Sequence, residues 1–138
     1  MSKVINEKEL LAIADKARAN AYAPYSGKSV GAALLTADGK IYTGVNIENA
    51  SFSPTVCAER VAIFKAVSDG KRDLLAIAVA GGDVGSPPKP DFSPCGVCRQ
   101  VMAEFCDKDF LVIWGNDDNI TVKTLADILP FGFDKGKM

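Results

Sequence analysis

Residues 30–46 read VGAALLTADGKIYTGVN, which places two apolar segments on either side of a short polar turn. The turn contains Asp38-Gly39, a dipeptide typical of tight β-hairpins because glycine readily accepts positive φ angles. The flanking segments, residues 30–36 and 40–46, have the length of ordinary strands. This stretch therefore predicts the hairpin from which the sheet is built.

The segment before the hairpin predicts an amphipathic helix. Asn6 is followed three residues later by Glu9, which is the spacing of a capping box. Apolar residues then recur at helical spacing at Leu10, Ala14, Ala17 and Ala21. Pro24 ends this run. We therefore expect one helix to precede the sheet and to pack its apolar face against it.

After the hairpin, strands and helices are predicted to alternate. The apolar run at residues 74–80 has no polar face, as in strands that are covered on both sides. The other predicted elements are helices at 56–67, 96–106 and 124–129, strands at 110–115 and 120–122, a loop at 81–94 and a turn at 116–119. This order predicts an α/β fold, a three-layer α-β-α sandwich around a mixed sheet of roughly five strands, as one domain over residues 1–138. Both central helices follow strands, so their N-termini should open on one edge of the sheet, where ligand sites of such folds lie.

Composition excludes several classes of function. The chain has 138 residues, of which 48% are hydrophobic and 24% charged, with a formal net charge of -1. So balanced a charge argues against a large phosphate-binding face, and therefore against a polynucleotide substrate. The chain has no histidine, which excludes a serine–histidine relay and removes the commonest metal ligand. Catalysis would have to use carboxylates, thiolates, hydroxyls, amines or a bound cofactor.

The N-terminal segment has no apolar run typical of a secretion signal, and no run in the chain is long enough to cross a bilayer. We therefore expect a cytoplasmic protein whose thiols stay reduced. Its four cysteines are then core residues, redox groups or metal ligands rather than a disulfide framework.

Three cysteines fall at the starts of the two central helices. Cys57 begins one helix, and Cys95 and Cys98 form a C-x-x-C sequence at the start of the other. Helix N-termini stabilise thiolates, the form that binds zinc. Two alternatives remain: the C-x-x-C pair is also typical of dithiol redox proteins, and Cys57 alone could be a buried core residue.

Cys106 lies eight residues beyond Cys98, about 12 Å along one helix, so the two cysteines cannot share a metal ion. We therefore predict that Cys106 is a buried apolar residue. Three protein ligands would leave one position open, as in catalytic zinc sites.

Two charged residues follow Cys57 on the same helix. Glu59 could merely complement the helix dipole, but beside an open metal site in a chain without histidine it is the natural proton shuttle. Arg60 could be an ordinary surface charge. Alternatively, it offsets the net charge of -1 that Zn²⁺ carries with three thiolates, by donating hydrogen bonds to a sulfur. We favour this second interpretation.

The sequence resembles the zinc-dependent cytidine deaminases at residues 57–60, Cys-Ala-Glu-Arg, and at residues 94–99, Pro-Cys-Gly-Val-Cys-Arg. The resemblance extends over nearly the whole chain, through APYS at 23–26, VGAAL at 30–34, GVNIENA at 44–50 and ILP at 128–130. It is to the small branch of the family with three cysteine ligands. This implies one Zn²⁺ per chain, a homotetramer, and hydrolytic deamination of free cytidine or deoxycytidine, as in pyrimidine salvage.

The resemblance also implies roles for individual residues. Cys57, Cys95 and Cys98 would hold the zinc, and Glu59 would carry protons between water, the ring N3 and the departing amine. Among substrate contacts, it implies Asn46 and Glu48 at the ribose 3'-hydroxyl, a backbone amide near Ala58 at the base carbonyl, the Ser93 carbonyl at the exocyclic amine, and Phe133 reaching a neighbouring subunit's site. At i and i+2 of an extended segment, Asn46 and Glu48 would face the same side.

The chain departs from the family at two positions. Lys28 stands where relatives commonly have a phenylalanine against the pyrimidine, and Phe52 where they often have a tyrosine near the 5'-hydroxyl. Both changes concern substrate scope, so a deaminase of a modified cytosine nucleoside, N4-substituted or blasticidin-like, is an alternative. A different class of function, a zinc-stabilised interaction module, predicts a closed four-ligand site. A dithiol redox protein predicts a metal-free Cys95–Cys98 pair.

Overall fold

The computed structural model describes residues 5–138 and contains the predicted hairpin at the start of a sheet. Gly39 takes a φ of 89° in the turn, and the two strands pair antiparallel from Gly31 opposite Val45 to Leu35 opposite Ile41. The elements in chain order are α1 (Glu7–Ala17), β1 (Lys28–Thr36), β2 (Ile41–Val45), α2 (Ala58–Ser68), β3 (Leu74–Asp83), α3 (Gly96–Phe105), β4 (Leu111–Gly115), β5 (Ile120–Thr124) and α4 (Leu125–Ile128). One 3₁₀ turn follows α1 at Arg18–Asn20, and another lies near the C-terminus at Lys135–Lys137.

The sheet has five strands in the order β2-β1-β3-β4-β5. Strands β3 and β4 pair in parallel, and the other three pairings are antiparallel. The predicted mixed sheet is therefore confirmed. Because β2 and β3 both run antiparallel to β1, they point the same way, and the chain leaves both at one edge of the sheet. This edge is where α2 and α3 begin.

The two faces of the sheet carry different side chains. On one face, Leu34, Ile77 and Val112 belong to the core cluster that also contains the buried apolar residues of α2 and α3. On the other, the residues packed with α1 are mostly alanines: Ala33, Ala76, Ala78 and Ala80. The alternation produces the predicted three layers, with small side chains where α1 lies close to the sheet.

Gly31 marks the closest approach of α1 to β1. A methyl group at this position would lie 1.9 Å from the carbonyl oxygen of Ala14. Since the atom it meets is helix backbone, we expect Gly31→Ala to lower the free energy of unfolding by about 3 kcal/mol, the upper range for overpacked cores. Urea unfolding with an unchanged m-value measures this. Gly96→Ala is the matched control, because its new methyl would meet nothing within 4 Å. Equal unfolding midpoints for the two variants would contradict the close approach.

Strand β3 is longer than the sequence predicts. Residues 81–83 were expected to start a loop, because of Gly81 and Gly82, but they pair with β1 down to Lys28 opposite Asp83. That part of the prediction is wrong. A side chain at Gly81 would lie 2.4 Å from the Phe92 ring, so this glycine allows close packing rather than a turn. Within residues 5–138, no helix combines the length and apolar composition needed to cross a membrane.

Candidate metal centre

Three cysteine sulfurs meet where α2 and α3 begin. Cys57 is the N-cap residue of α2, Cys95 is the N-cap residue of α3, and Cys98 lies in the first turn of α3. The Sγ atoms of Cys57 and Cys95 are 3.7 Å apart, and those of Cys95 and Cys98 are 3.5 Å apart. All three lie within 4.8 Å of one another. Both N-cap residues have extended backbone, with ψ of 155° and 166° respectively, and neither side chain caps its own helix.

The donor set fits a zinc ion. Two sulfurs bound tetrahedrally to one Zn²⁺ at about 2.3 Å would be separated by roughly 3.8 Å, close to the spacings found here. Magnesium and calcium prefer several oxygen ligands, whereas this cluster offers three thiolates. Thiolate ligands favour a softer cation such as zinc. Among the described residues the cluster contains three ligands, so a fourth position is left for a non-protein ligand.

The Cys57 sulfur lies in an environment that favours a thiolate. The pKa of Cys57 is lowered to about 5, first by the neighbouring Cys98 thiol and then by a hydrogen bond from Arg60, whose Nη2 lies 3.4 Å from the Cys57 sulfur. The pKa of Cys98 is raised above its usual range by the neighbouring Cys57 sulfur and by burial. The lowered pKa means that Cys57 ionises readily, and the thiolate is the form that binds a metal.

Glu59 lies in the first turn of α2 and is only 3% exposed. Its Oε1 atom has no hydrogen-bond partner within residues 5–138, and neither does Arg60 Nε. Burial raises the pKa of this carboxyl to about 7, with a smaller contribution from the neighbouring Cys57 thiolate. A buried carboxyl oxygen without a protein partner can accept a hydrogen bond from a water molecule or a ligand.

Cys106 lies outside the sulfur cluster, as the helical spacing predicts. It is the C-cap residue of α3, at the other end of that helix from Cys95 and Cys98. Its side chain is half-buried against the core, and burial raises the pKa of the thiol to about 12. Cys106 is therefore a packing residue with little thiolate character.

Asn46 and Glu48 lie just after β2 and are held against the segment before and at the start of β1. Asn46 is 7% exposed; its Oδ1 accepts from the Val30 N–H at 2.9 Å and its Nδ2 donates to the Lys28 carbonyl at 2.8 Å. Glu48 is half-buried and accepts hydrogen bonds from residues 25–26. The Ser26 hydroxyl is the largest cause of the lowered pKa of Glu48.

The remaining predicted contact residues lie on different parts of the chain. Ala58, fully buried, is the first residue of α2, and Ser93 is half-buried in the segment that leads to Cys95. Phe133 is 55% exposed in the C-terminal segment, where its carbonyl accepts from Gln100 Nε2 at 2.7 Å.

Arg99 is a residue that the sequence analysis did not single out. Its Nε donates to the Pro94 carbonyl at 2.9 Å and its Nη1 to the Ile128 carbonyl at 2.9 Å. It thereby fixes the segment before Cys95 and joins it to the end of α4. Its place directly after the C-x-x-C sequence was the only available signal, and spacing alone could not show these long-range partners.

The two positions that depart from the family pattern have different surroundings. The Lys28 ammonium group forms an ion pair with Asp83. Phe52 is 70% exposed with a φ of 46°, and its ring meets that of Tyr25 edge-on, with 6.0 Å between centroids. A cavity of about 290 Å³ is lined by Tyr25, Ser26, Glu48, Phe52 and Thr55.

Comparison with known proteins places this centre in a family. Residues 5–114 match the family model described as the cytidine and deoxycytidylate deaminase zinc-binding region. The chain belongs to this family. It is 51% identical over 128 residues to a cytidine deaminase of Sporosarcina psychrophila, covering 92% of this chain and 90% of that protein. It is also 50% identical over 125 residues to a cytidine deaminase of Halalkalibacterium halodurans, covering 90% and 91%.

Solved structures show the same relationship. The fold is similar to that of the cytidine deaminase from Burkholderia pseudomallei, with a TM-score of 0.85 and 42% identity over 94% of this chain and 100% of that one. The predicted α/β fold is thus confirmed by a crystal structure of the family. The family model and the three-cysteine cluster together indicate one Zn²⁺ per chain.

Proposed function

We propose that this chain deaminates cytidine and deoxycytidine by hydrolysis, yielding uridine or deoxyuridine and ammonia. The observation that carries the proposal is the buried carboxyl of Glu59, whose Oε1 has no hydrogen-bond partner among residues 5–138, beside three sulfurs that are close enough together to bind one metal ion. This combination provides a site that activates water and a group that moves its protons. The similarity over about nine tenths of the chain to proteins named cytidine deaminase supports the same activity.

Cys57, Cys95 and Cys98 would hold the zinc. When bound, the zinc supplies Lewis acidity, which lowers the pKa of a coordinated water toward about 7. Arg60 has a separate role, because its guanidinium donates to the Cys57 sulfur and withdraws negative charge from it. Arg60 would thereby limit the loss of Lewis acidity that three thiolate ligands cause in a bound zinc.

Glu59 is the proposed proton carrier. It accepts a proton as the water oxygen attacks C4, and delivers it to the ring N3, which takes up the electron pair of the C4=N3 bond. It then moves the second proton of that oxygen to the exocyclic amine, while N3 keeps its proton as the N–H of the product. Ammonia leaves as the C4 carbonyl forms. Burial raises the pKa of this carboxyl toward neutral pH, where a proton carrier must both accept and release protons.

Four residues are proposed to orient the nucleoside. Glu48 and Asn46 would bind the ribose 3'-hydroxyl, and their fixed positions support this role. The backbone amide at Ala58 lies at the N-terminus of α2, where N–H groups lack helical partners and can bind the base carbonyl. The Ser93 carbonyl would accept from the exocyclic amine, and the Arg99 bond to the neighbouring Pro94 carbonyl supports a fixed orientation there.

We propose that the chain assembles as a homotetramer in the cytoplasm, with Phe133 reaching a neighbouring subunit's site. The C-terminal segment supports this assembly, since Phe131 is 99% exposed, Phe133 is 55% exposed and Met138 is 90% exposed. Apolar side chains exposed together in this way are typical of interaction surfaces.

The activity is tested by measuring ammonia release from a panel of nucleosides. We expect ammonia and uridine from cytidine, ammonia and deoxyuridine from deoxycytidine, and loss of both activities after treatment with a chelator and dialysis. Rapid release from N4-substituted or blasticidin-like substrates, with none from cytidine, would instead support the modified-nucleoside alternative. A protein that contains zinc but acts on no member of the panel would contradict deamination and favour an interaction module.

A further inference from the structure

The Glu48 carboxylate is held by hydrogen bonds from one short segment, which includes the side chain of Ser26. The backbone N–H groups of Tyr25 and Ser26 donate to Glu48 Oε1, at 2.9 and 3.1 Å. The Ser26 hydroxyl donates to the other oxygen, Oε2, at 2.5 Å. Two consecutive residues therefore supply three donors to one carboxylate.

The direction of the Ser26 hydroxyl is fixed by a second partner. Its oxygen accepts from the Lys28 N–H at 3.0 Å, and a backbone N–H can only donate. The single hydroxyl proton is thus free to point at Glu48. Because a serine oxygen has one proton and two lone pairs, this arrangement uses the hydroxyl as a bridge between the start of β1 and the carboxylate.

The count of lone pairs shows which carboxylate atom remains available. A carboxylate oxygen offers about two acceptor positions. Both positions of Oε1 are occupied by backbone donors, whereas Oε2 accepts one hydrogen bond from the residues that the structure describes, that of the Ser26 hydroxyl. Oε2 therefore keeps one acceptor position, and the Ser26 bond fixes the carboxylate rotation that determines where this position points.

We infer that Ser26 is a positioning residue that sets the orientation of Glu48 Oε2 for a sugar hydroxyl. The inference rests on the proposed function, since it assumes that Glu48 binds the ribose 3'-hydroxyl. Ser26 acts through Glu48 and not on the reacting atoms. Its loss should therefore weaken recognition of nucleosides that carry this hydroxyl and leave the chemistry at C4 intact.

The test compares cytidine with 3'-deoxycytidine, which lacks the hydroxyl in question. We expect Ser26→Ala to lower kcat/KM for cytidine about tenfold, as for a lost hydrogen bond to a charged group. The loss should appear mainly in KM, because the interaction is made in the ground state as well as in the transition state. With 3'-deoxycytidine the change should be less than about twofold. Ser26→Thr, which keeps the hydroxyl, should restore the cytidine value, and Ser53→Ala, at an exposed serine, is the control.

A double-mutant cycle with Glu48→Gln completes the experiment. If Ser26 acts through Glu48, combining Ser26→Ala with Glu48→Gln should cost little more than Glu48→Gln alone. Equal losses on cytidine and 3'-deoxycytidine, or fully additive losses in the cycle, would overturn the inference in favour of a general structural role. No effect of Ser26→Ala on cytidine would overturn it as well. Inactivity of the unaltered protein toward cytidine would instead identify the proposed function as the failed premise.

Discussion

Glu59→Gln is expected to lower kcat for cytidine by about three to four orders of magnitude while leaving one zinc per chain. Glutamine nearly matches glutamate in size, so the packing around this buried side chain is preserved. It cannot take up or release a proton near neutral pH, and general acid–base catalysis contributes about 10²- to 10⁴-fold. In the proposed mechanism one carboxyl makes every proton transfer, and the chain has no histidine that could replace it. Steady-state ammonia release and metal analysis of the same sample measure the two quantities.

A second expectation separates catalysis from folding. The Glu59 Oε1 atom is buried and has no hydrogen-bond partner in the described part of the chain, which is costly for a charged group. The Glu59→Gln variant should therefore unfold at the same temperature as the unaltered protein or above it. Glu59→Asp is the matched control, since it keeps the carboxylate but withdraws it by one methylene. We expect it to retain more activity than Glu59→Gln. More than about 1% residual activity in Glu59→Gln would contradict the role of proton carrier.

Much of the fold could be predicted from sequence because its signals are local. The turn at Asp38-Gly39 and the capping residue Asn6 act within a few residues, and the structure has the hairpin and the helix start in those places. The uniformly apolar β3 indicated burial on both faces, which the two core clusters confirm. The end of β3 was wrong because glycine signals a loop and a close approach equally well. Only the position of Phe92, eleven residues beyond Gly81, decides between them.

The candidate site was predictable to the extent that it depends on helix starts. Cys57 and Cys95 were expected at the starts of two helices on one sheet edge, and their sulfurs are 3.7 Å apart. The connections that hold the substrate-binding region were not predictable. The Asn46 amide bonds to the backbone of β1, and the Glu48 carboxylate bonds to Ser26, 22 residues earlier in the chain. Periodicity describes which face of an element is apolar, and it contains no information about such long-range polar partners.

Cys98→Ser is expected to remove both metal and activity. Cys98 is fully buried in the first turn of α3, and its sulfur lies 3.5 Å from that of Cys95. A serine hydroxyl stays protonated at neutral pH, so two thiolates would remain to hold the cation. Changes outside the ligand shell already cost about 10- to 100-fold in metal affinity, so losing a ligand should cost at least about 100-fold. Metal content after dialysis should fall well below one per chain, and ammonia release should fall in proportion.

Cys106→Ala provides the matched control, because this cysteine lies at the opposite end of the same helix. The variant should keep one zinc per chain and its activity, with at most a modest loss of stability from the smaller side chain. Unfolding temperatures add a further comparison. A metal that binds only the native state stabilises it, so the Cys98→Ser variant should unfold at a lower temperature than the Cys106→Ala variant. A chelator should lower the unfolding temperature of Cys106→Ala and leave that of Cys98→Ser unchanged. A Cys98→Ser protein that keeps its zinc, or a Cys106→Ala protein that loses it, would contradict a metal centre built from Cys57, Cys95 and Cys98. It would also contradict the open coordination position on which the proposed chemistry depends.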